Sequence, residues 1–371
     1  MKTKTAIYVH IPFCEKKCKY CNFASFVANE ETKSKYFNNL LEEIKQNSGY
    51  FVSSIFFGGG TPSSVNEKYI IQTLSQIKSQ HILSPNAEIT IECNPCSVNL
   101  KKLLAYKNAG FNRISFGVQS FNDQTLKKLG RLHNSQDAFN AVKLAKKAGF
   151  NNISIDLILG TGEQEKNLEK NLTEMKNLGV THISAYMLIL EQETPLFSEV
   201  QSKKTKVSSE DEAVNEYENI IKILQGLGYE RYEISNFALS GFQCKHNLTY
   251  WEGGDYHGFG LAAHSYLKGT RFSNTENITT YLSQNFLKHL KETEEQLTTQ
   301  QKIEESIMLG LRTAKGVSVQ KLKNLGYDIL KEKKSEINFL TQKGVIHSNG
   351  EYLKIMPKFF GVANQIILRL I

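Results

Sequence analysis

Among its 371 residues the chain has one tryptophan, six prolines and six cysteines. Six thiols in a chain this long are too sparse for a disulfide framework, so clustered cysteines are better read as ligands or catalysts in a reducing compartment. No run approaches the roughly 18 apolar residues a spanning helix needs; "SAYMLIL" is the longest, and no transmembrane segment is expected. The opening "MKTKTAIYVHIPF" is basic and then apolar, but His10 and Pro12 break the run and no small-residue cleavage site follows. It reads as a first strand rather than a signal peptide, and the chain as cytoplasmic. There is no solenoid repeat, no low-complexity tract and no long basic block. The net charge of +8 comes from scattered lysines such as Lys101-Lys102, Lys127-Lys128, Lys146-Lys147 and Lys333-Lys334, which read as solvated helix faces.

What is present is an ordinary globular balance, 40% hydrophobic and 22% charged, in a chain long enough for two domains. Short β-rich runs alternate with amphipathic helical ones. Strands are expected at "AIYVHIPF", "SIFFGGG", "EITIECN", "RISFGVQ", "NISIDLILG" and "HISAYMLIL", with helices such as "NEKYIIQTLSQIKS" and "SQDAFNAVKLAKKAG" between them. Six βα units around a parallel sheet fall short of the eight of a closed barrel, which predicts an α/β, partial (β/α)6 TIM-like barrel open on one side. A long helix, "SEDEAVNEYENIIKILQGLG", and a strand-like "YERYEISNF" follow. The division expected is a core over 1–237, a connecting segment over 238–299 rich in Gly, His and aromatics, and a smaller C-terminal helical or winged-helix-like domain over 300–371. That last part includes a hairpin turning at Asn349-Gly350.

Chemistry concentrates first in "YVHIPFCEKKCKYCNFAS", where Cys14, Cys18 and Cys21 form a C-x3-C-x2-C array. A zinc site would need a fourth ligand, from Cys93 or Cys96 of "ECNPC" or from His10. A disulfide suits the compartment poorly. The third reading is a 4Fe-4S cluster one protein ligand short, leaving one iron open to a small molecule. Lys16, Lys17 and Lys19 crowd the loop, and nearby cations favour thiolates.

The array, followed by "FFGGGTPS", resembles the radical S-adenosylmethionine (SAM) superfamily, and "YVHIPFC" and "GVQSF" narrow the likeness to the oxygen-independent coproporphyrinogen III oxidase family. "LGRLH", "DLILG" and "EISNFA" fall in the family's order, so the likeness spans the chain. It implies a radical SAM barrel in which Cys14, Cys18 and Cys21 hold the cluster and the amino and carboxylate groups of SAM chelate the open iron. It further implies that Gly59, Gly60 and Thr61 of "GGGTP" line the methionyl part of SAM. Glu92 would take its ammonium and Arg131 its carboxylate, Gln119 and Asp156 would reach the ribose hydroxyls, and Tyr8 would lie near the sulfonium. Reducing the cluster needs an external electron donor. Cys93, Cys96 and Cys244 match no ligand of the family and read as packing residues.

Two places bear on function within the family. True oxidases carry a further cysteine two positions after the third ligand, where this chain has Phe23. And "HNLTYW" resembles the H-N-x-x-Y-W motif of the family's heme-chaperone branch, which makes His246, Tyr250 and Trp251 candidate heme-binding residues, with His257 and His264 as further possible iron ligands. The resemblance therefore implies a heme chaperone that hands heme to an acceptor protein, with intact cluster and SAM sites but without coproporphyrinogen oxidase activity. The alternatives are the oxidase itself, decarboxylating coproporphyrinogen III, and a zinc-stabilised nucleic-acid module. The last is disfavoured because basic residues are not interleaved with aromatics along a stripe.

Overall fold

The computed structural model describes residues 4–162 and 167–371. Six strands follow the expected order: β1 (Lys4–Ile11), β2 (Phe51–Gly59), β3 (Ile82–Cys93), β4 (Arg113–Gln119), β5 (Asn152–Leu159) and β6 (His182–Met187). Each pairs in parallel with the next. The connecting helices are α1 (Glu30–Lys45), α2 (Glu67–Gln80), α3 (Leu100–Ala109), α4 (Asp123–Lys128), α5 (Ser135–Lys147) and α6 (Leu168–Asn177). Asn29, Asn66, Asn99, Asn122 and Asn134 cap the first five, each side chain accepting a first-turn backbone N–H that has no partner within the helix.

Alternation along the strands separates two environments. Ile7, Val9, Ile55, Phe57, Ile91, Ile114, Phe116, Ile153, Ile155 and Ile183 pack outward into one core with the helices. The residues between them line the inside, and many are polar: Tyr8, Ser54, Glu88, Glu92, Arg113, Ser115, Ser154, Asp156 and His182. A closed (β/α)8 barrel fills this space with branched apolar side chains. A polar interior instead leaves room for hydrogen-bonded ligands and for a plug.

Beyond β6 the chain runs through α7 (Pro195–Gln201) and α8 (Glu210–Gly226), the latter opened by a capping box at Ser209 and Glu212. The strand-like "YERYEISNF" divides into β7 (Glu230–Arg231) and β8 (Asn236–Ala238), and β8 runs antiparallel to β6.

Residues 238–299 are not a simple connection. They form α9 (Lys245–Trp251) and four strands, β9 (Asp255–Phe259), β10 (His264–Leu267), β11 (Thr270–Asn274) and β12 (Lys291–Gln296). These extend the same sheet in the order β12-β11-β10-β9-β1, with β9 parallel to β1. The physical reason is the edge: without β9, the buried strand β1 would present unpaired backbone groups. Phe259, Leu261, Tyr281 and Phe286 join the main core. The buried carboxyl of Glu43 on α1 accepts from the Gly260 N–H, from Asn274 Nδ2 and from the Tyr281 hydroxyl, fastening the extension to the barrel.

The C-terminal part has its own core, built from Ile303, Leu311, Leu322, Ile337, Leu353 and Ile366. Helices at Thr299–Gly310, Val319–Asn324, Lys334–Gln342 and Ala363–Leu370 pack with a small antiparallel sheet whose hairpin turns at Asn349-Gly350, as expected. Among the described residues no helix is long and apolar enough to cross a membrane.

Candidate functional site

The loop after β1 carries the three cysteines to the C-terminal end of the parallel strands. Its ends are pinned to the scaffold: the Cys14 N–H donates to Phe26 O (3.0 Å) and the Lys19 N–H to Leu129 O (3.0 Å). Cys14, Cys18 and Cys21 are half-buried, free of disulfides, and line one pocket together with Gly59, Gly60, Thr61, Glu92, Gln119, Arg131 and Asp156. Tyr8 lies below this ring, its hydroxyl 3.0 Å from His10 Nδ1 and its ring stacked on Phe56.

Zinc holds thiolates at about 2.3 Å and so draws them tightly together. Among the described residues no three His, Cys, Asp or Glu side chains are so gathered. Of the further zinc ligands, His10 Nε2 lies 2.8 Å from Ala24 O and Cys96 is exposed, while Cys93 lines the same pocket but is buried, which pushes its thiol up and disfavours a thiolate. Three thiols ringing a pocket fit a larger cluster. The cation that bonds a cysteine sulfur is Arg131, whose Nη1 donates to Cys18 Sγ at 3.4 Å. Of the loop lysines, Lys17 bonds Phe23 O and Lys19 pairs with Glu199, while Lys16 lines the pocket.

Gly59 has φ +108°, and a Cβ there would meet the His10 ring at 2.6 Å; at Gly60 it would meet Phe13 O at 2.8 Å. Both glycines are therefore demanded by the packing of β2 on β1 before any ligand is considered. Thr61 adds a hydroxyl 3.5 Å from Cys14 Sγ that accepts from Asn94 Nδ2. Burial, and then the charge of Asp156, push the Glu92 carboxyl up to about 8. Its environment thus favours the neutral form, and a cation at this place would oppose that shift. Burial also raises Asp156, against hydrogen bonds from Ser184 and Ser115. Arg131 Nη2 donates to Asn94 Oδ1 and to Gly117 O, while its buried Nε has no partner. Gln119 ends β4 at a register shift with φ +68° and accepts from the Tyr186 hydroxyl (3.1 Å).

Sequence reasoning missed the lower half of the interior. Glu88, on the same face of β3 as Glu92, accepts from the backbone N–H groups of Lys245 and His246 and from the Cys244 thiol, so a buried carboxyl caps α9 inside the barrel. Arg113 is 2% exposed and supplies the opposite charge nearby. The alternation of "EITIE" was the available signal for Glu88, and the register of β3 with β4 sets Arg113 opposite Thr90, between Glu88 and Glu92 on the same face.

His246 is 1% exposed. Its Nδ1 lies 3.0 Å from Ser54 Oγ, its Nε2 lies 2.7 Å from the Tyr250 hydroxyl, and its ring stacks on Phe56. His257 is buried against Phe259 with Nδ1 on the Tyr50 hydroxyl, and His264 is exposed on β10. The structure thus separates the three histidines, because α9 turns inward while β9 and β10 lie on the sheet extension. Tyr250 and Trp251 line a cavity of about 830 Å³ between the barrel and the C-terminal domain. Its other walls include Asn247, Tyr186, Met187, Tyr217, Arg231, Leu309, Arg312 and Phe360. Tyr186 borders this cavity and the cysteine pocket alike.

Comparison with known proteins agrees with this layout. Residues 8–175 match the model of the radical SAM superfamily and residues 297–358 that of the HemN C-terminal domain. A Bacillus subtilis protein named heme chaperone HemW is 35% identical over 95% of this chain and 96% of its own. Its namesake from Lactococcus lactis is 33% identical over 99% of this chain and 97% of its own. The solved structure of coproporphyrinogen III oxidase (HemN) from Escherichia coli, described as a radical SAM enzyme, shares the fold with a TM-score of 0.84 at 21% identity, covering 100% of this chain and 90% of that one. With both parts matched in order and relatives similar from end to end, the chain belongs to the heme chaperone HemW family of the radical SAM superfamily.

Proposed function

We propose that this protein is a cytoplasmic heme chaperone that binds heme in the cavity between barrel and C-terminal domain and transfers it to an acceptor protein. One observation carries the reading: the H-N-x-x-Y-W segment folds so that Asn247, Tyr250 and Trp251 form a wall of a roomy, largely apolar chamber. About 830 Å³ lies within the 300–1,000 Å³ or so usual for ligand pockets. Flat aromatic surfaces suit a macrocycle, and Arg312 at the wall suits its propionates.

The cysteine pocket supports a 4Fe-4S cluster held by Cys14, Cys18 and Cys21, with SAM as the remaining ligand. A cluster reduced by an external donor supplies the electron that SAM chemistry requires. Glu92, whose charge burial disfavours, would be drawn to ionise by an ammonium beside it. Arg131 would take a carboxylate beside Cys18. Gln119 and Asp156 offer acceptors for ribose hydroxyls, the backbone of Gly59, Gly60 and Thr61 offers an edge for the methionyl part, and Tyr8 lies beneath. Phe23, 68% exposed, stands where oxidases place a further cysteine, which favours carriage of heme over decarboxylation of coproporphyrinogen.

The test is an anaerobic hemin titration of the cluster-reconstituted protein beside Trp251→Ala. Saturable uptake of one heme per chain that weakens in the variant is expected. No saturable uptake with the cluster intact, together with coproporphyrinogen turnover, would return the oxidase reading.

A further inference from the structure

We propose that the iron of heme bound in this chamber is held by the phenolate oxygen of Tyr250, and that His246 is a positioning residue rather than a ligand. The inference rests on the heme-chaperone reading above and assigns the bond that reading leaves open.

His246 would have to leave three contacts to reach iron: Ser54 Oγ at 3.0 Å, the Tyr250 hydroxyl at 2.7 Å and the Phe56 ring, whose centroid lies 5.1 Å away. Its backbone N–H is also tied, at 3.2 Å, to Glu88. Tyr250 follows four residues later on α9, on the same helix face, and is on the chamber wall. Its ring is edge-on to His246 and to Tyr256, which fixes its direction. None of the described residues on the wall is a histidine or cysteine. The other oxygen and sulfur donors there are less suited. Tyr217 is engaged with Arg231 and Ile234 O, the Tyr186 hydroxyl with Gln119, both carboxylate oxygens of Glu233 accept from the Ser235 N–H and Asn236 Nδ2, and Met187 offers only a soft thioether.

Phenolate is an established axial ligand of heme iron, and metal ligands are commonly oriented by a hydrogen bond from an outer group. The imidazole of His246 is already in that place. As the iron–oxygen bond forms, the phenol O–H bond breaks and its proton leaves to solvent by way of the chamber; His246, whose protonation burial and Arg113 disfavour, stays neutral and donates its Nε2–H to the phenolate while Nδ1 accepts from Ser54. No electron moves, and no further reactant is needed.

The experiment is resonance Raman spectroscopy of the ferric-heme complex of the full chain, beside Tyr250→Phe, His246→Gln and Met187→Leu. Phenolate ring modes are expected in the native protein and in Met187→Leu, and absent in Tyr250→Phe. His246→Gln should keep the modes at shifted frequency while heme affinity falls roughly 10- to 100-fold, the usual cost of losing a ligand's outer partner. A role for His246 in packing alone would leave those frequencies unmoved and overturns the positioning assignment. Native complexes without phenolate modes, modes that survive Tyr250→Phe, or a low-spin spectrum abolished by Met187→Leu overturn the ligand assignment. The native spectrum decides even where a variant fails to fold. A native chain that takes up no heme overturns the chaperone reading and this assignment together, and is recognised by the absence of any heme spectrum.

Discussion

Gln119 is held at φ +68°, a left-handed conformation that costs a non-glycine residue roughly 1–2 kcal/mol. Such strain persists where the surrounding structure enforces it and is often stored at functional sites. Here the register shift in β4 turns Gln119 so that its side chain lies on the cysteine pocket and meets Tyr186. The pair Gln119→Gly and Gln119→Ala separates strain from chemistry. Both remove the amide, but only glycine relieves the backbone, so the Gly variant should exceed the Ala variant by about 1 kcal/mol in urea unfolding. SAM affinity, measured calorimetrically on the reconstituted protein, should fall equally in both. Equal stabilities would deny the strain, and an unchanged affinity would remove Gln119 from the site.

At the level of elements, β1 to β6 were legible because short β-rich runs with partial apolar alternation are bounded by turn residues; "RISFGVQ" coincides with β4 from Arg113 to Gln119. The extension was not. "KETEEQ" is exposed at every position of β12, so no burial pattern marks it as a strand, and β9 is recognisable only once β1 is seen to need a neighbour. The cysteine array was legible because its ligands are local in sequence. Glu88 and Arg113 come from separate strands, and spacing alone could not tell which face of α9 turns inward with His246. The latch at Glu43 was equally hidden, and it has a measurable consequence. Burial pushes its carboxyl from the usual 4.5 up to about 7, against hydrogen bonds from Tyr281, Asn274 and Gly260. The folded state thus binds a proton that the unfolded state has released. This contribution to stability is fully present below about 4.5 and is lost as pH rises through about 7. Glu92, pushed up to about 8, acts with the same sign, so the comparison must be differential. Glu43→Gln keeps the shape without the titration. Denaturation from pH 5 to 8 should show native stability falling faster than that of the variant, and parallel curves would refute the linkage.

For the whole molecule, the chamber proposed for heme lies where two separate cores meet. The Arg231 guanidinium lies 4.7 Å from the Phe360 ring, and the Ala314 N–H donates to Tyr232 O at 3.0 Å, so the seam is held by contacts made from both sides. Arg231 is occupied there, bonded to Tyr217 and to the Glu233 and Ile234 carbonyls. Arg312 differs. Its guanidinium makes two hydrogen bonds, to Met308 O and Asn364 Oδ1, both at 2.7 Å, whereas that of Arg231 also lies over the rings of Tyr217, Phe237 and Phe360. A net charge of +8 spread over the surface would attract any anion weakly, whereas one guanidinium on the wall can distinguish a porphyrin with free propionates from one whose propionates are esterified. The native chain should therefore bind hemin more tightly than its dimethyl ester, by about 1 kcal/mol or roughly fivefold for a partly exposed charge contact. In Arg312→Gln the preference should vanish while the ester's affinity and the unfolding midpoint stay unchanged. If the substitution weakened both ligands alike, Arg312 would be shaping the wall and not reading the carboxylates, and the charge recognition would have to be sought elsewhere on the seam.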